Sequence, residues 1–423
     1  MDGAVTSMDP LAYLEHLSSR PIRLGLGPLS RLLVRMKHPE RRYANIVIGG
    51  TNGKGSIAAM AASILTAGGF RTGLYTSPHL SDVRERIRIN GCMITAEDLR
   101  ACADEISRQL REGLTYFEFL TAMAFHFFKQ QHVDIAVLEV GMGGRLDATN
   151  VVNPAVSVIS NVSLDHRPYL GTKIEQIAWE KSGIIKRNGC CLTAARQKKA
   201  IEMIKGVSRK QQARFFRLGD QIKVRRQAGD CFSFRGFNRR YDHLSCALRG
   251  RHQIDNAALA VGAVALLAEQ GFSVTEEAIR RGLTETRWEG RLEILQDRPT
   301  VLVDGAHNPA GISSLCVALK EEFCYRRLIV IFGVLDDKDH RAMLKKLAPI
   351  SDTLILTRPE SDRALSPETL LPVARQYQRC VVMTERPEEA MRQALAAAGP
   401  DDLVCATGSL YLVGAVKRFF AEQ

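Results

Sequence analysis

The sequence has 423 residues, 45% hydrophobic and 25% charged, the balance of a folded chain too long for one ordinary core, so two or three domains are expected. Its longest apolar runs fall short of a membrane span, and the acidic, polar start Met1-Asp2-Gly3 does not read as a secretory signal. The ten cysteines contain no C-x-x-C pair, which argues against a disulfide framework or a zinc site and for reduced thiols in a cytoplasmic setting.

The net charge of +12 is unevenly placed: residues 196–251 hold 16 Lys and Arg against four acids, a net of +12, and the remainder is near neutral. Such a stretch can bind nucleic acid. The alternation in Cys231-Phe232-Ser233-Phe234 fits ordinary strands better, so the favoured reading is a solvated β region whose field attracts anionic ligands.

In chain order, residues 9–42 read as a helix, a Gly-rich turn at Leu24–Gly27 and a second, basic helix. An apolar β-branched run, Ile46-Val47-Ile48, then enters the turn Gly49-Gly50-Thr51-Asn52-Gly53-Lys54-Gly55-Ser56, and an Ala-rich amphipathic pattern follows. Strand, glycine turn and helix in this order make a phosphate loop: glycines let N–H groups wrap a phosphate, the helix N-terminus adds its dipole, Lys54 a charge and Ser56 a hydroxyl. It is not a strict Walker A, because Gly55 separates Lys54 from Ser56 and Ile48 stands where the first glycine would be.

Residues 70–79 give a short strand and turn, and Arg86–Gly91 a hairpin with an Asn-Gly turn. Thr95 caps a helix with early acids, and Thr115–Phe128 is a helix whose aromatic face reads as core. Asp134–Val140 is a buried strand ending in Glu139, Ala155–Ser160 is the next strand with Asp165-His166 just beyond it, and Glu175–Lys186 reads as a helix. Residues 213–250 are short-stranded and basic; helices follow at 252–270 and from Thr275. A strand at Thr300–Asp304, the turn Gly305–Pro309, a helix over 310–322 and strands at 328–332, 353–356 and 403–406 form a second α/β pattern, with a boundary near residue 296.

Alternating strands and helices imply a doubly wound, mostly parallel sheet, in which ligands bind at the carboxyl ends of the strands. The loop, Ser77, Glu139 and His166 all fall at such ends. Ser77 and Glu139 offer hard oxygen ligands for Mg²⁺, and His166 could ligate a second cation, an arrangement suited to phosphoryl transfer. The plain alternatives are a helix cap for Glu139, a turn histidine for His166 and a Pro-terminated turn at Asp304–Pro309.

The strings Gly50-Thr-Asn-Gly-Lys-Gly-Ser56, Thr76-Ser-Pro-His-Leu80, Glu85-Arg-Ile-Arg-Ile-Asn-Gly91, Leu138-Glu-Val-Gly-Met-Gly-Gly-Arg-Leu-Asp-Ala-Thr-Asn150, Asp165-His166, Glu180-Lys-Ser-Gly183, Arg291 and Asp304-Gly-Ala-His-Asn-Pro309 together resemble the folylpolyglutamate synthase/dihydrofolate synthase family of the Mur ligase superfamily. The resemblance runs from about residue 10 to the C-terminus. It implies an N-terminal P-loop ATPase-like domain, residues 1–295, with a mostly parallel sheet plus a small β region, and a smaller Rossmann-like α/β domain, residues 296–423.

The implied activity is ATP-dependent amide ligation, adding L-glutamate to dihydropteroate, to reduced folates, or to both, through an acyl phosphate. The resemblance assigns Thr51, Asn52, Gly53, Lys54, Gly55, Ser56, Asn256, Arg291, Asp304 and His307 to ATP, which would lie between the domains. It assigns Ser77, Glu139, His166 and a carbamylated Lys181 to Mg²⁺, as two ions with room for a monovalent cation. Lys54, Lys181 and His166 would carry catalysis, and Thr115, Tyr116, Phe117, Glu118, Leu146, Asp147 and Ala148 would contact the pterin substrate.

Three positions depart from the family's pattern: Gly49 replaces Ala, Glu289 replaces Pro in the linker, and Arg23 stands where bifunctional bacterial members carry Asp. A monomer acting on small molecules, without nucleic acid or membrane, is expected. One alternative is a cell-wall Mur ligase, which generally has a separate N-terminal domain for its UDP group; only about 45 residues precede the loop here. The other is a nucleotide-binding regulator or nucleic-acid binder using residues 196–251.

Overall fold

The computed structural model describes residues 10–18, 23–227 and 229–422. The chain divides into two compact units: one runs to Pro78 and continues through Val83–Ala247 and Ile254–Thr286, and the other gathers His79–Asp82, Leu248–Gln253 and the residues from Arg287 on. The second unit thus starts before the expected boundary near residue 296. The reason is that Glu293–Asp297 is a strand of its sheet, antiparallel to Thr300–Asp304.

The first unit opens with α1 (Pro10–Ser18) and α2 (Gly27–Arg35), then β1 (Ala44–Gly49), α3 (Lys54–Ala67) and β2 (Thr72–Tyr75). A hairpin, β3 (Ile87–Ile89) and β4 (Cys92–Met93), is closed by Asn90 and Gly91 at φ 49° and 83°, the paired positive angles that favour Asn-Gly. Next come α4 (Ala96–Gln109), α5 (Tyr116–Gln130), β5 (Ile135–Glu139), β6 (Val156–Ile159), the short α6 (Arg167–Leu170), α7 (Ile174–Ser182), β7 (Cys190–Thr193), α8 (Lys198–Lys210) and β8 (Arg214–Arg217).

Eight strands form one sheet in the order β4-β3-β2-β5-β1-β6-β7-β8. All neighbours are parallel except β2–β3 and β3–β4. β1 is central and almost wholly buried, which explains its unbroken apolar run. β7 and α8 fall where the sequence anticipates no element, β8, within the stretch expected to be short-stranded, joins this sheet, and α7 ends at Ser182, short of the expected Lys186. The aromatic face of α5 is core as expected: Phe119, Phe125 and Phe128 are fully buried.

The basic stretch continues into a separate antiparallel sheet of β9 (Lys223–Arg226), β10 (Cys231–Gly236) and β11 (Arg239–Ser245), in the order β11-β10-β9. α9 (Arg251–Leu267) and α10 (Glu276–Glu285) follow. α10 lies so close to the Ala-rich α3 that a Cβ on Gly282 would overlap the Ile64 backbone.

The second unit has β12 (Glu293–Asp297), β13 (Thr300–Asp304), α11 (Pro309–Glu321), β14 (Leu328–Phe332), α12 (His340–Leu347), β15 (Thr353–Leu356), α13 (Pro367–Ala374), β16 (Val381–Met383), α14 (Pro387–Ala397), β17 (Leu403–Thr407) and α15 (Leu410–Ala421). Its sheet order is β12-β13-β17-β14-β15-β16, parallel except for β12. Alternate residues feed two cores: Leu302, Val330 and Leu354 pack with Leu315, Leu344 and Leu370 on one face, and Val303, Ile329 and Ile355 with Met391 and Val416 on the other. Among the described residues, no helix is long and apolar enough to cross a membrane.

Candidate active site

The glycine turn after β1 is held open by the polar segment that follows β6. Thr51 N–H donates to Asn161 O at 2.9 Å and Asn52 N–H to Asn161 Oδ1 at 3.0 Å. Asn52 O accepts from Ser160 Oγ at 2.6 Å and from Asn161 Nδ2 at 3.0 Å, and Thr51 Oγ1 accepts Ser163 N–H at 3.0 Å. Gly50, at φ 135°, lies where a Cβ would overlap Ser160 Oγ. Gly53, at φ 85°, would place a Cβ 2.5 Å from Asn256 Oδ1, so the α9 carboxamide lies directly against the loop. Gly55 and Ser56 are buried in the first turn of α3, whose N-terminus brings its dipole to the turn. Asn256, which the family resemblance assigns to ATP, lies against this loop, whereas Ser160, Asn161 and Ser163 are not among the residues that the sequence singles out; a run of small polar residues at the carboxyl end of a buried strand is the available signal.

Lys54 Nζ folds back to Thr51 O at 3.2 Å. Lys181, in the last turn of α7, is 3% exposed and donates Nζ to Gly50 O at 2.8 Å. Read alone, a lysine beside Glu180 would be a solvated surface charge; the fold buries it beneath the phosphate loop. Burial and the charge of Lys54 pull its pKa down to about 7, against the opposing pull of Asp165 and Asp147.

Glu139 ends β5 opposite Ile48 of β1, one step from the loop. Its Oε2 accepts the N–H of Ser77, just past β2, at 3.1 Å, which brings these two candidate ligands together. His166 opens α6 in the left-handed region at φ 47°, its N–H bonded to Asp165 Oδ1 at 2.9 Å. Among the described residues no three His, Cys, Asp or Glu side chains form a metal cluster. The donor set that fits is therefore a buried carboxylate with a hydroxyl, which suits a hard cation that keeps most of its water.

Of the residues expected to contact pterin, Phe117 has its ring where a Cβ on Gly141 would come within 2.8 Å, and it sits 5.8 Å from Tyr75. Tyr116, Phe117 and Leu146 are each half-buried, Tyr116 and Phe117 packing against the core of the first unit, and Ala148 is buried. Three of the named polar groups are engaged locally. Thr115 and Glu118 form the capping box of α5, with Glu118 Oε2 accepting Thr115 N–H at 2.9 Å. Asp147 accepts Met142 N–H at 2.9 Å and Thr149 Oγ1 at 2.6 Å, and burial raises its pKa. Arg23 donates to Gly113 O at 3.0 Å, two residues before Thr115.

The loop after β5 is locked onto the end of α7. Arg145 N–H donates to Glu180 O at 2.8 Å, its guanidinium pairs with Glu180 at 2.9 Å and lies 4.4 Å from the Trp179 ring, and Asn150 Nδ2 donates to Gly183 O at 3.0 Å. Gly183 has no room for a Cβ because Arg145 fills it. This lock stops α7 at Ser182 and fixes Lys181.

In the second unit, Asp304 ends β13 and accepts N–H groups of Leu292 and Ala306, each at 3.0 Å. Burial raises its pKa, opposed by Arg291 and His252. Arg291 Nη1 also reaches Gly290 O at 2.8 Å, and His307 Nδ1 is 2.8 Å from Gly305 O. Asn308 caps α11 and Pro309 begins it, so the turn does start a helix. Glu289, the linker departure, pairs with Lys417 at 2.7 Å.

Residues 48–264 match the Mur ligase middle domain, and residues 290–410 match the Mur ligase glutamate ligase domain. The chain is 34% identical over 411 residues to a dihydrofolate synthase/folylpolyglutamate synthase of Bacillus subtilis, covering 94% of this chain and 95% of that protein. Two solved structures are similar. Escherichia coli FolC in complex with DHPP and ADP has a TM-score of 0.91 at 30% identity, covering 98% of each chain. The bifunctional folylpolyglutamate synthase/dihydrofolate synthase of Yersinia pestis, complexed with AMPPNP and Mn ion, has a TM-score of 0.87 at 30% identity, covering 97% of this chain and 98% of that one.

Proposed function

We propose that this chain, which belongs to the folylpolyglutamate synthase/dihydrofolate synthase family of ATP-dependent glutamate ligases, joins L-glutamate both to dihydropteroate and to reduced folates. The observation that carries the reading is Lys181 buried under the phosphate loop beside Lys54, a lysine that a simple nucleotide-binding turn does not need.

The acceptor carboxylate attacks the γ-phosphorus of ATP, the bond to the β-phosphate oxygen breaks, and ADP leaves an acyl phosphate. The amine of L-glutamate attacks the acyl carbon, phosphate departs, and the amine loses a proton. Thr51–Ser56 and the N-terminus of α3 hold the phosphates, with Asn256 against the loop in the same unit; Arg291, Asp304 and His307 are the second unit's candidates for nucleotide contact, as the family resemblance implies. Lys54 swings from Thr51 O to the transferring phosphoryl group and offsets its developing charge.

Ser77 and Glu139 would hold one divalent cation and His166 with Lys181 a second; a cation held there would supply positive charge that lowers the repulsion between the phosphates and the incoming carboxylate. Lys181 serves there as a carbamate, its neutral amine adding to CO₂ with loss of one proton. The pKa near 7 supplies that neutral amine. Tyr116, Phe117 and Leu146, each half-buried, receive the pterin, and the enzyme works as a monomer on small molecules.

Phosphate release from ATP tests the reading. It should require L-glutamate together with an acceptor, and proceed with dihydropteroate and with tetrahydrofolate. Turnover at full rate without an acceptor overturns it, and turnover with only one acceptor removes bifunctionality.

A further inference from the structure

The basic stretch is not consumed by the site described above. The register of the small sheet puts Lys223 of β9 opposite Arg235 of β10, and Arg235 opposite Arg240 of β11. Three cations therefore stand in one row across the sheet, neighbours roughly 5 Å apart at Cβ. Arg225, two residues along β9, shares their face opposite Ser233, and all four are exposed. Like charges directly opposite one another destabilise a sheet. Against them stands Asp242, paired with Arg240 at 2.8 Å, while Lys223 reaches the carbonyl of Gly219 at 2.9 Å.

The sheet's aromatic residues, Phe232, Phe234 and Tyr241, are buried on its other face. Among the described residues, no Phe, Tyr or Trp of the three strands lies on the cationic face, which therefore offers no apolar anchor for a bilayer and no large ring on which to stack bases. It suits a flexible string of carboxylates, each able to take two parallel bonds from an Arg.

We propose that this face binds the γ-linked glutamyl tail of elongated folates, a chain with one free carboxylate per residue. The proposal rests on the ligase reading, since that reaction lengthens such a tail. The small sheet is also tied to the nucleotide helix: Arg226 of β9 pairs with Asp255 at 3.0 Å, and the next residue, Asn256, lies against Gly53. Because each cycle adds a negative charge to the acceptor, the face holds longer tails more tightly and biases the enzyme by tail length.

The test uses the full chain carrying Lys223→Gln, Arg235→Gln and Arg240→Gln together. A labelled five-residue γ-glutamyl peptide without pterin is titrated by fluorescence anisotropy at low and high salt, and KM is measured for mono- and pentaglutamyl tetrahydrofolate. Wild type should bind the peptide in a salt-sensitive manner. In the variant, peptide affinity and pentaglutamyl affinity should fall roughly tenfold, the sum of three exposed ion pairs. Monoglutamyl kinetics should stay within about twofold, because none of the three touches the phosphate loop.

The variant should unfold no earlier than wild type, since repulsion has been removed; should it fail to fold, the single change Arg235→Glu must show the same loss of peptide binding. Unchanged peptide binding overturns the proposal, as does a wild-type protein that ignores the peptide but retains single-stranded RNA. Peptide binding is read without turnover, so a failed ligase assay and a failed tail proposal are separate outcomes.

Discussion

Lys54 and Lys181 place two amines on one phosphate loop, bonded to Thr51 O and Gly50 O, and the two are expected to differ in role. Lys54→Ala should lower kcat about 10²- to 10³-fold with an unchanged circular dichroism spectrum, because one preorganised cation at the phosphoryl group is lost. Lys181→Ala should be nearly inactive, and acetate or formate should partly restore it by supplying the missing anion; an active, unrescued Lys181→Ala enzyme would remove the carbamate from the mechanism. A stability measurement isolates the same residue. The folded pKa of about 7 lies below the ordinary lysine value of 10.5, so between them the unfolded chain binds the extra proton. Stability from this group therefore rises with pH across that window; below it the whole burial penalty is felt, and above it none. In CO₂-free buffer, where Lys181 stays an amine, urea melts of wild type and Lys181→Met should show a difference that narrows from pH 7 toward pH 10.5. Burial beneath the loop was not legible in the sequence, where Lys181 sits on a polar helix beside Glu180.

At the scale of elements, the phosphate loop depends on the end of β6 as much as on its own glycines. Asn161→Ala removes the bonds it makes to the N–H and the carbonyl of half-buried Asn52, at a cost of about 1 kcal/mol per bond. The expected result is a KM for ATP raised about tenfold in steady-state assays, with less change in acceptor KM. Gly50→Ala meets both an unfavourable φ and the Ser160 hydroxyl and should destabilise by about 2 kcal/mol or more in denaturant melts. Strands and glycine turns were legible because period, β-branching and turn residues are local. The clamp was not, because Thr51 and Asn161 are over a hundred positions apart and meet only when β1 and β6 pair.

For the whole molecule, two units with separate cores predict unfolding that is not a single two-state event. Leu354→Ala, in the core of the second unit's sheet, should remove about 2–5 kcal/mol and move one calorimetric transition while leaving the other in place. A single transition that shifts as a whole would show the units to be one cooperative body. The order of motifs along the chain was enough by itself to indicate the family, the α/β class and the strand ends that carry the candidate site, since each motif is a short run whose chemistry is local. Tertiary structure alone decided that Glu293–Asp297 belongs to the second sheet and that β7 and β8 extend the first. It also decided that Lys181 is buried, that Asp147 and Glu118 spend their carboxylates on caps, and that Lys223, Arg235 and Arg240 form one row. Those outcomes turn on which strand pairs with which, and on how much water is left around a charge, and neither quantity is written in any contiguous stretch of residues.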